Sequence, residues 1–225
     1  FDIMGKMGSL TLLFIHGFAT GPAVWEKQIP ELSKFCRVST SLEEFAGLEK
    51  VVLVGWSMGG WKAIELYEQY PKKIKGMVLV SAFAKYLRSS DYPWGTSPAL
   101  LKRLEKKIKY DFRDGLTFFY DLVFPDKRWH SLISKLPIPS TEDIKRWFEK
   151  LKFDDKRKCL TSIKIPTIII HGQADQIVPW PAGKYLHEHI AGSKLYLLPG
   201  VGHAPMVAAP KEFNNYLKEF IEGVC

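Results

Sequence analysis

Cysteine is scarce: three residues in 225, Cys36, Cys159 and Cys225, odd in number and far apart. That spacing supports neither a disulfide framework nor a cysteine-based zinc site, and it suits a reducing cytoplasm. Long apolar runs are also missing. Nowhere does the chain reach the ~20 apolar residues of a membrane span, and Phe1-Asp2-Ile3-Met4-Gly5-Lys6 lacks the charged start and apolar stretch of a secretory signal. A soluble, unexported, monomeric protein is expected. The histidines form no metal pattern. His187 and His189 are two apart on an expected surface helix and face different ways, and His130 and His171 have no partner visible in the sequence. No metal or cofactor is expected, and no internal repeat or low-complexity tract occurs.

Negative charge is the scarcer sign, with 24 Asp and Glu against 32 Lys and Arg and a formal net charge of +8. The excess is concentrated: residues Arg88 to Lys158 hold 17 basic against 11 acidic side chains. An acidic protein, an anionic ligand or a plain solvated surface would each suit such a region. No nucleic-acid-binding motif accompanies it, so nucleic acid is not an expected partner.

Against these absences stands a 46% hydrophobic composition, enough for one globular core with a substantial insertion. Leu10–Ile15, Val51–Val54, Met77–Ser81 and Ile165–His171 are continuous apolar runs of strand length, the pattern of strands buried on both faces of a parallel sheet. Cys36–Ser39 and Lys194–Leu198 add shorter strands. Helices are expected at Ala23–Lys34, interrupted at Pro30, after Ser57, and from Pro210 to Glu222. The resulting class is α/β, with a mostly parallel sheet of about six strands flanked by helices. Some eighty residues separate the strands ending at Ser81 and beginning at Ile165, too many for a structureless loop. There Leu101, Leu104, Ile108, Phe112, Leu116, Phe119 and Val123 recur at helical spacing, which predicts one long or two shorter amphipathic helices with Gly115 a candidate kink, and Thr141-Glu142-Asp143 marks a further helix start. The expected division is a core of residues 1–84 and 160–225, with residues 85–159 inserted as a helical lid.

The chain is organised around Val51-Val52-Leu53-Val54-Gly55-Trp56-Ser57-Met58-Gly59-Gly60. A strand runs into Gly-x-Ser-x-Gly and then into a helix. A serine in so tight a turn is strained, side chains at the flanking glycines would collide with strand and helix, and the helix N-terminus points its free amides at the serine. A serine hydroxyl is a poor nucleophile until a base takes its proton; imidazole suits that task, and a carboxylate on its far nitrogen fixes the tautomer. Asp175, four residues past the strand ending at His171, and His203, five past Leu198, supply these groups in the order Ser, Asp, His. His16, in a His-Gly turn, reads as a loop-shaping histidine near the site.

Phe14-Ile15-His16-Gly17-Phe18, Gly55–Gly60, Gly172–Asp175 with Val178-Pro179, and Gly202-His203-Ala204-Pro205 together resemble the α/β-hydrolase superfamily over nearly the whole chain. Within it, Gly-Trp-Ser-x-Gly-Gly, Asp91-Tyr92-Pro93-Trp94-Gly95, Asp111-Phe112-Arg113, Leu136-Pro137-Ile138-Pro139 and His203-Ala204-Pro205-Met206 are similar to the pimeloyl-[acyl-carrier protein] methyl ester esterases of biotin synthesis. The resemblance implies Ser57 as nucleophile, His203 as base and acid and Asp175 as its orienting acid. It also implies an oxyanion hole of the Phe18 and Met58 amides, an acyl pocket lined by Phe18, Trp56, Met58 and Phe119, and an acyl ester substrate carried on an acidic acyl carrier protein.

The sequence departs from that pattern in three places. The N-terminal antiparallel strands are absent or reduced to Phe1–Met4, no Asp-x-Pro-Gly-x-Gly loop follows Ser39, and only a stub, Leu42 to Lys50, stands where a helix normally runs. Where the related esterases carry docking arginines, this chain has Asp114 and Phe118. A different basic stripe remains: Lys102, Lys106, Lys109 and Arg113 fall at i, i+4, i+7 and i+11, on one face if the helix is continuous. The function expected is a serine carboxylic ester hydrolase demethylating a carrier-bound pimeloyl ester. The alternatives are a broad-specificity carboxylesterase or thioesterase for small acyl substrates, and a hydrolase-fold ligand receptor.

Overall fold

The structure, a computed structural model, describes residues 10–126 and 130–224. Six strands form one parallel sheet in the order β2-β1-β3-β4-β5-β6, where β1 is Leu10–Ile15, β2 Arg37–Ser39, β3 Lys50–Trp56, β4 Ile74–Val80, β5 Thr167–Gly172 and β6 Lys194–Leu198. The expectation for Phe1–Met4 lies outside the described residues. Side chains of β1 and β5 are buried along their whole length, whereas β6, at the sheet edge, is buried only at Leu198. The two-residue period of a strand then sorts the core into two layers. Leu12, Phe14, Val52, Val54, Val78, Val80, Ile168 and Ile170 belong to one. Leu13, Ile15, Val51, Leu53, Met77, Leu79 and Ile169 belong to the other.

Helix α1 is only Ile29–Leu32, preceded by a 3-10 turn at Pro22–Trp25. The longer helix expected over Ala23–Lys34 does not form, because Pro30 sits in the first turn of α1, where its missing N–H costs nothing, and so starts a helix where it was expected to interrupt one. The stub after β2 is a 3-10 turn, Leu42–Gly47. Helix α2, Met58–Gln69, follows β3 and packs on the second layer.

Between β4 and β5 lie α3, Pro98–Tyr110; α4, Phe112–Val123; α5, His130–Ile133; and α6, Thr141–Phe153. Leu101, Leu104 and Ile108 of α3, Leu116 and Phe119 of α4 and Ile144 and Phe148 of α6 join the first core layer, so these helices are stitched to the sheet by burial. Each such side chain, fully buried, contributes about 1.5–3 kcal/mol. Surface ion pairs such as Lys152 with Glu105, 2.7 Å apart, link α6 to α3 but add little.

The helix pair breaks at Asp111, not at Gly115. Asp111 has extended backbone, and its carboxylate accepts from the amides of Arg113 and Asp114 at 2.9 and 3.0 Å, capping α4. Gly115 instead lets α4 fold back on α3: a Cβ there would lie 2.5 Å from the Ile108 amide nitrogen. The cap of α6 is Ser140, one residue before the expected start; its hydroxyl accepts from the Asp143 amide at 3.0 Å. The chain closes with α7, Trp180–His189, the short α8, Pro205–Ala208, and α9, Pro210–Val224. Among the described residues no helix is long and apolar enough to cross a membrane.

Candidate active site

Ser57 sits between the end of β3 and the start of α2 with φ 56° and ψ −120°, a conformation that side chains rarely adopt and that costs on the order of 1–3 kcal/mol. Its amide still extends the sheet ladder, donating to Val80 O at 2.8 Å, so the serine stands at the carboxyl edge of the central strands. Packing maintains the turn. A Cβ on Gly55 would meet the Gly59 carbonyl oxygen at 2.4 Å, and a Cβ on Gly59 would meet Ile15 O at 2.1 Å. The first glycine lets β3 touch the helix start, and the second lets the helix start touch β1.

Asp175 and His203 meet in the loops beyond β5 and β6. His203 Nδ1 lies 2.7 Å from Asp175 Oδ2, and both side chains are buried. The other carboxylate oxygen accepts from the amides of Ile177 and Val178, both at 2.9 Å. Burial opposes ionisation of Asp175, but the His203 charge and hydrogen bonds from His171 and His203 outweigh it, holding the carboxyl well below the usual range. A carboxylate can only accept, so the proton of the His203 ring is on Nδ1. Nε2 is then left as a buried lone pair, without a hydrogen bond among the described residues.

His203 is held beside the serine turn by Trp56. The indole Nε1 donates to the His203 carbonyl at 2.7 Å, and the two rings lie 5.5 Å apart. Phe18 and Met58 share the wall of a cavity of about 520 Å³ with Gly17, Trp61, Arg146 and Trp147. Neither Trp56 nor Phe119 lies on that wall; the expected pocket residues divide between cavity lining and support. Phe119 instead backs Phe18 edge-on at 5.1 Å, as does Trp147 from α6 at 5.4 Å. The Tyr120 hydroxyl donates to Ala19 O at 2.5 Å, where Ala19 has φ 51°, tying the Phe18 turn to α4. His16 borders the same cavity, its ring 3.2 Å from Gly17 O and its pKa pushed down by burial.

Of the basic stripe, Lys102, Lys106 and Lys109 are exposed on α3 and pair with no carboxylate among the described residues, but Arg113 lies across the Asp111 break on α4. The single continuous face is therefore not formed. Sequence reading also found no partner for His171, which the structure places at 3.3 Å from Asp175 Oδ2. Among the described residues no group of three His, Cys, Asp or Glu is arranged to hold a metal.

The family described as alpha/beta hydrolase fold matches residues 40–210. The chain belongs to this family. Its relatives include a pimeloyl-[acyl-carrier protein] methyl ester esterase of Wigglesworthia glossinidia brevipalpis, 29% identical over 96% of this chain and 95% of the relative. Another protein of that name, from Nitrosomonas europaea, is 27% identical over 90% of this chain and 92% of its own. Among solved structures, the α/β-hydrolase chain resembles a bromoperoxidase from Bacillus anthracis, with TM-score 0.82 and 28% identity over 96% of this chain and 92% of that one. It shares its fold with an esterase from Exiguobacterium antarcticum, TM-score 0.84 at 21% identity over 96% and 93% of the two chains.

Proposed function

We propose that this α/β-hydrolase is a serine carboxylic ester hydrolase that removes the methyl group from a pimeloyl ester carried on an acyl carrier protein. The observation that carries the hydrolytic part is the buried His203 ring, protonated toward Asp175 and presenting a free Nε2 lone pair beside a strained serine turn. Ser57 Oγ attacks the ester carbonyl while Nε2 takes its proton, and Asp175 stabilises the imidazolium. The amides of Phe18 and Met58 receive the oxyanion. The proton then goes from Nε2 to the methoxy oxygen, methanol leaves, and water attacks the acyl-serine by the same steps reversed, giving the free acid and restoring the serine. The helices between β4 and β5 serve as a lid over this centre. Supporting the substrate are the relatives named above, which match along almost the whole chain.

Because Asp175 remains ionised far below neutrality, one proton on His203 is expected to shut the reaction off on the acid side. Protonated Nε2 cannot accept from Ser57, so kcat/KM should fall with a slope of one in log–log form as pH is lowered. A pH–rate series on an activated ester checks this; a second-order acid limb would show a further titrating group in the mechanism.

The carrier is tested by salt. Lys102, Lys106 and Lys109 on α3 offer an acidic partner an attraction screened over a Debye length of ~8–10 Å. Turnover of carrier-bound substrate should therefore fall steeply in kcat/KM with added salt, while a small methyl ester of the same acid barely responds. Lys106→Glu with Lys109→Glu should lower kcat/KM for the carrier-bound ester at low salt and leave kcat for the small ester unchanged. Equal salt slopes for the two substrates would favour a general esterase.

A further inference from the structure

His171, the penultimate residue of β5, is completely buried, and its Nε2 has two acceptors before it: Val178 O at 2.9 Å and Asp175 Oδ2 at 3.3 Å. Both are acceptors only, so Nε2 carries the proton. The N–H is directed chiefly at Val178 O, with the carboxylate as its second neighbour. Nδ1 is consequently a lone pair, buried and without a hydrogen bond among the described residues. It faces the backbone of α7, where a Cβ on Gly183 would lie 2.5 Å away. A second proton on this ring, at Nδ1, would have no acceptor among the described residues. Its two contacts bracket the loop that presents Asp175: Val178, whose carbonyl it holds, is also the residue whose amide binds Asp175 Oδ1. Oδ2 is thus located between two imidazoles, His171 behind it and His203 in front.

We infer that His171 is a positioning residue, which fixes the rotation of the Asp175 carboxylate so that Oδ2 stays aimed at His203 Nδ1. This rests on the triad roles proposed above. Reaction at Ser57 needs one tautomer and one ring orientation of His203, and each donor on the Asp175 carboxylate, the Ile177 and Val178 amides on Oδ1 and the His203 and His171 rings on Oδ2, narrows its rotation. The titratable groups facing Asp175 are His203, His171 and Tyr86, whose hydroxyl burial and the Asp175 charge keep protonated. Besides His203 itself, His171 is the one ring among the described residues that presents an N–H to Oδ2. Without it the carboxylate keeps more of its charge for the His203 imidazolium, and the acid limb of activity moves to higher pH.

The test uses His171→Phe, which keeps a ring but no donor, and His171→Gln, whose amide nitrogen can stand where Nε2 stands. Each is made in the wild type and in Asp175→Asn, with circular dichroism and thermal melts to count folded protein. For His171→Phe the expected result per folded molecule is a kcat about 10-fold lower with KM within ~2-fold and an acid limb displaced upward. His171→Gln should recover most of kcat. In Asp175→Asn, adding His171→Phe should change kcat by less than about 2-fold, because the residue through which it acts is already disabled. An unchanged kcat and acid limb in His171→Phe, or the same 10-fold loss in both backgrounds, overturns the positioning role and leaves His171 a packing residue. Full activity in Asp175→Asn alone overturns the triad reading itself, so the two failures are distinct.

Discussion

Ser57→Ala is expected to lower kcat for a methyl ester by about 10³ to 10⁶, with the melting temperature no lower than wild type. The hydroxyl is the only atom removed, and the turn is held by contacts of Gly55 and Gly59 in which the hydroxyl has no part. His203→Ala should fall in the same range, and the double variant should be scarcely worse than either single one, because nucleophile and base act as a unit. Asp175→Asn should lose ~10⁴, since an amide can donate to Nδ1 and thereby stabilise the wrong tautomer. Steady-state kinetics on one activated ester, with folded protein counted by circular dichroism, checks all three. Additive losses in the double variant would mean that Ser57 and His203 serve separate functions.

Gly59→Ala carries the largest expected effect on stability. Its Cβ would sit 2.1 Å from Ile15 O and 2.7 Å from His16 O, both backbone atoms that cannot swing aside. Either β1 or the start of α2 must shift, at a cost on the order of 3 kcal/mol. For a chain of this size that is a fall in Tm of roughly 6–12 °C. The same shift displaces the Met58 amide, so kcat should drop along with Tm. Gly47→Ala is the control: no atom lies within 4 Å of its added Cβ. It should stay within about 0.5 kcal/mol of wild type. A Gly59→Ala protein with unchanged Tm and kcat would show that the turn has slack that its packing does not reveal.

The central strands could be read from the sequence because they are buried on both faces and therefore appear as uninterrupted apolar runs, from Leu10–Ile15 to Thr167–Gly172. Where the sequence left one long helix and two shorter ones both open, a local polar group decides. Leu101 to Val123 keeps one helical period, yet Asp111 in its middle caps a new helix and breaks the basic stripe that continuity would have formed. The strained turn at Ser57 was legible through its glycines, and the pairing of Asp175 with His203 through their places after strand ends. Their supports were not. The Trp56 bond to the His203 carbonyl spans 147 residues and that of Tyr120 to Ala19 spans 101, so no local pattern announces them. His171 is only four residues from Asp175, but nothing short of the loop geometry shows that the chain doubles back and brings the ring behind the carboxylate.

Incubating the protein with a methyl-pimeloyl acyl carrier protein, and following both the intact carrier by mass and the methanol released, tests the central claim most directly. The account predicts a loss of the methyl group with the thioester to the carrier intact, one methanol for each free acid formed, and no reaction with Ser57→Ala. Cleavage at the thioester instead, or methanol release that persists in Ser57→Ala, would contradict it.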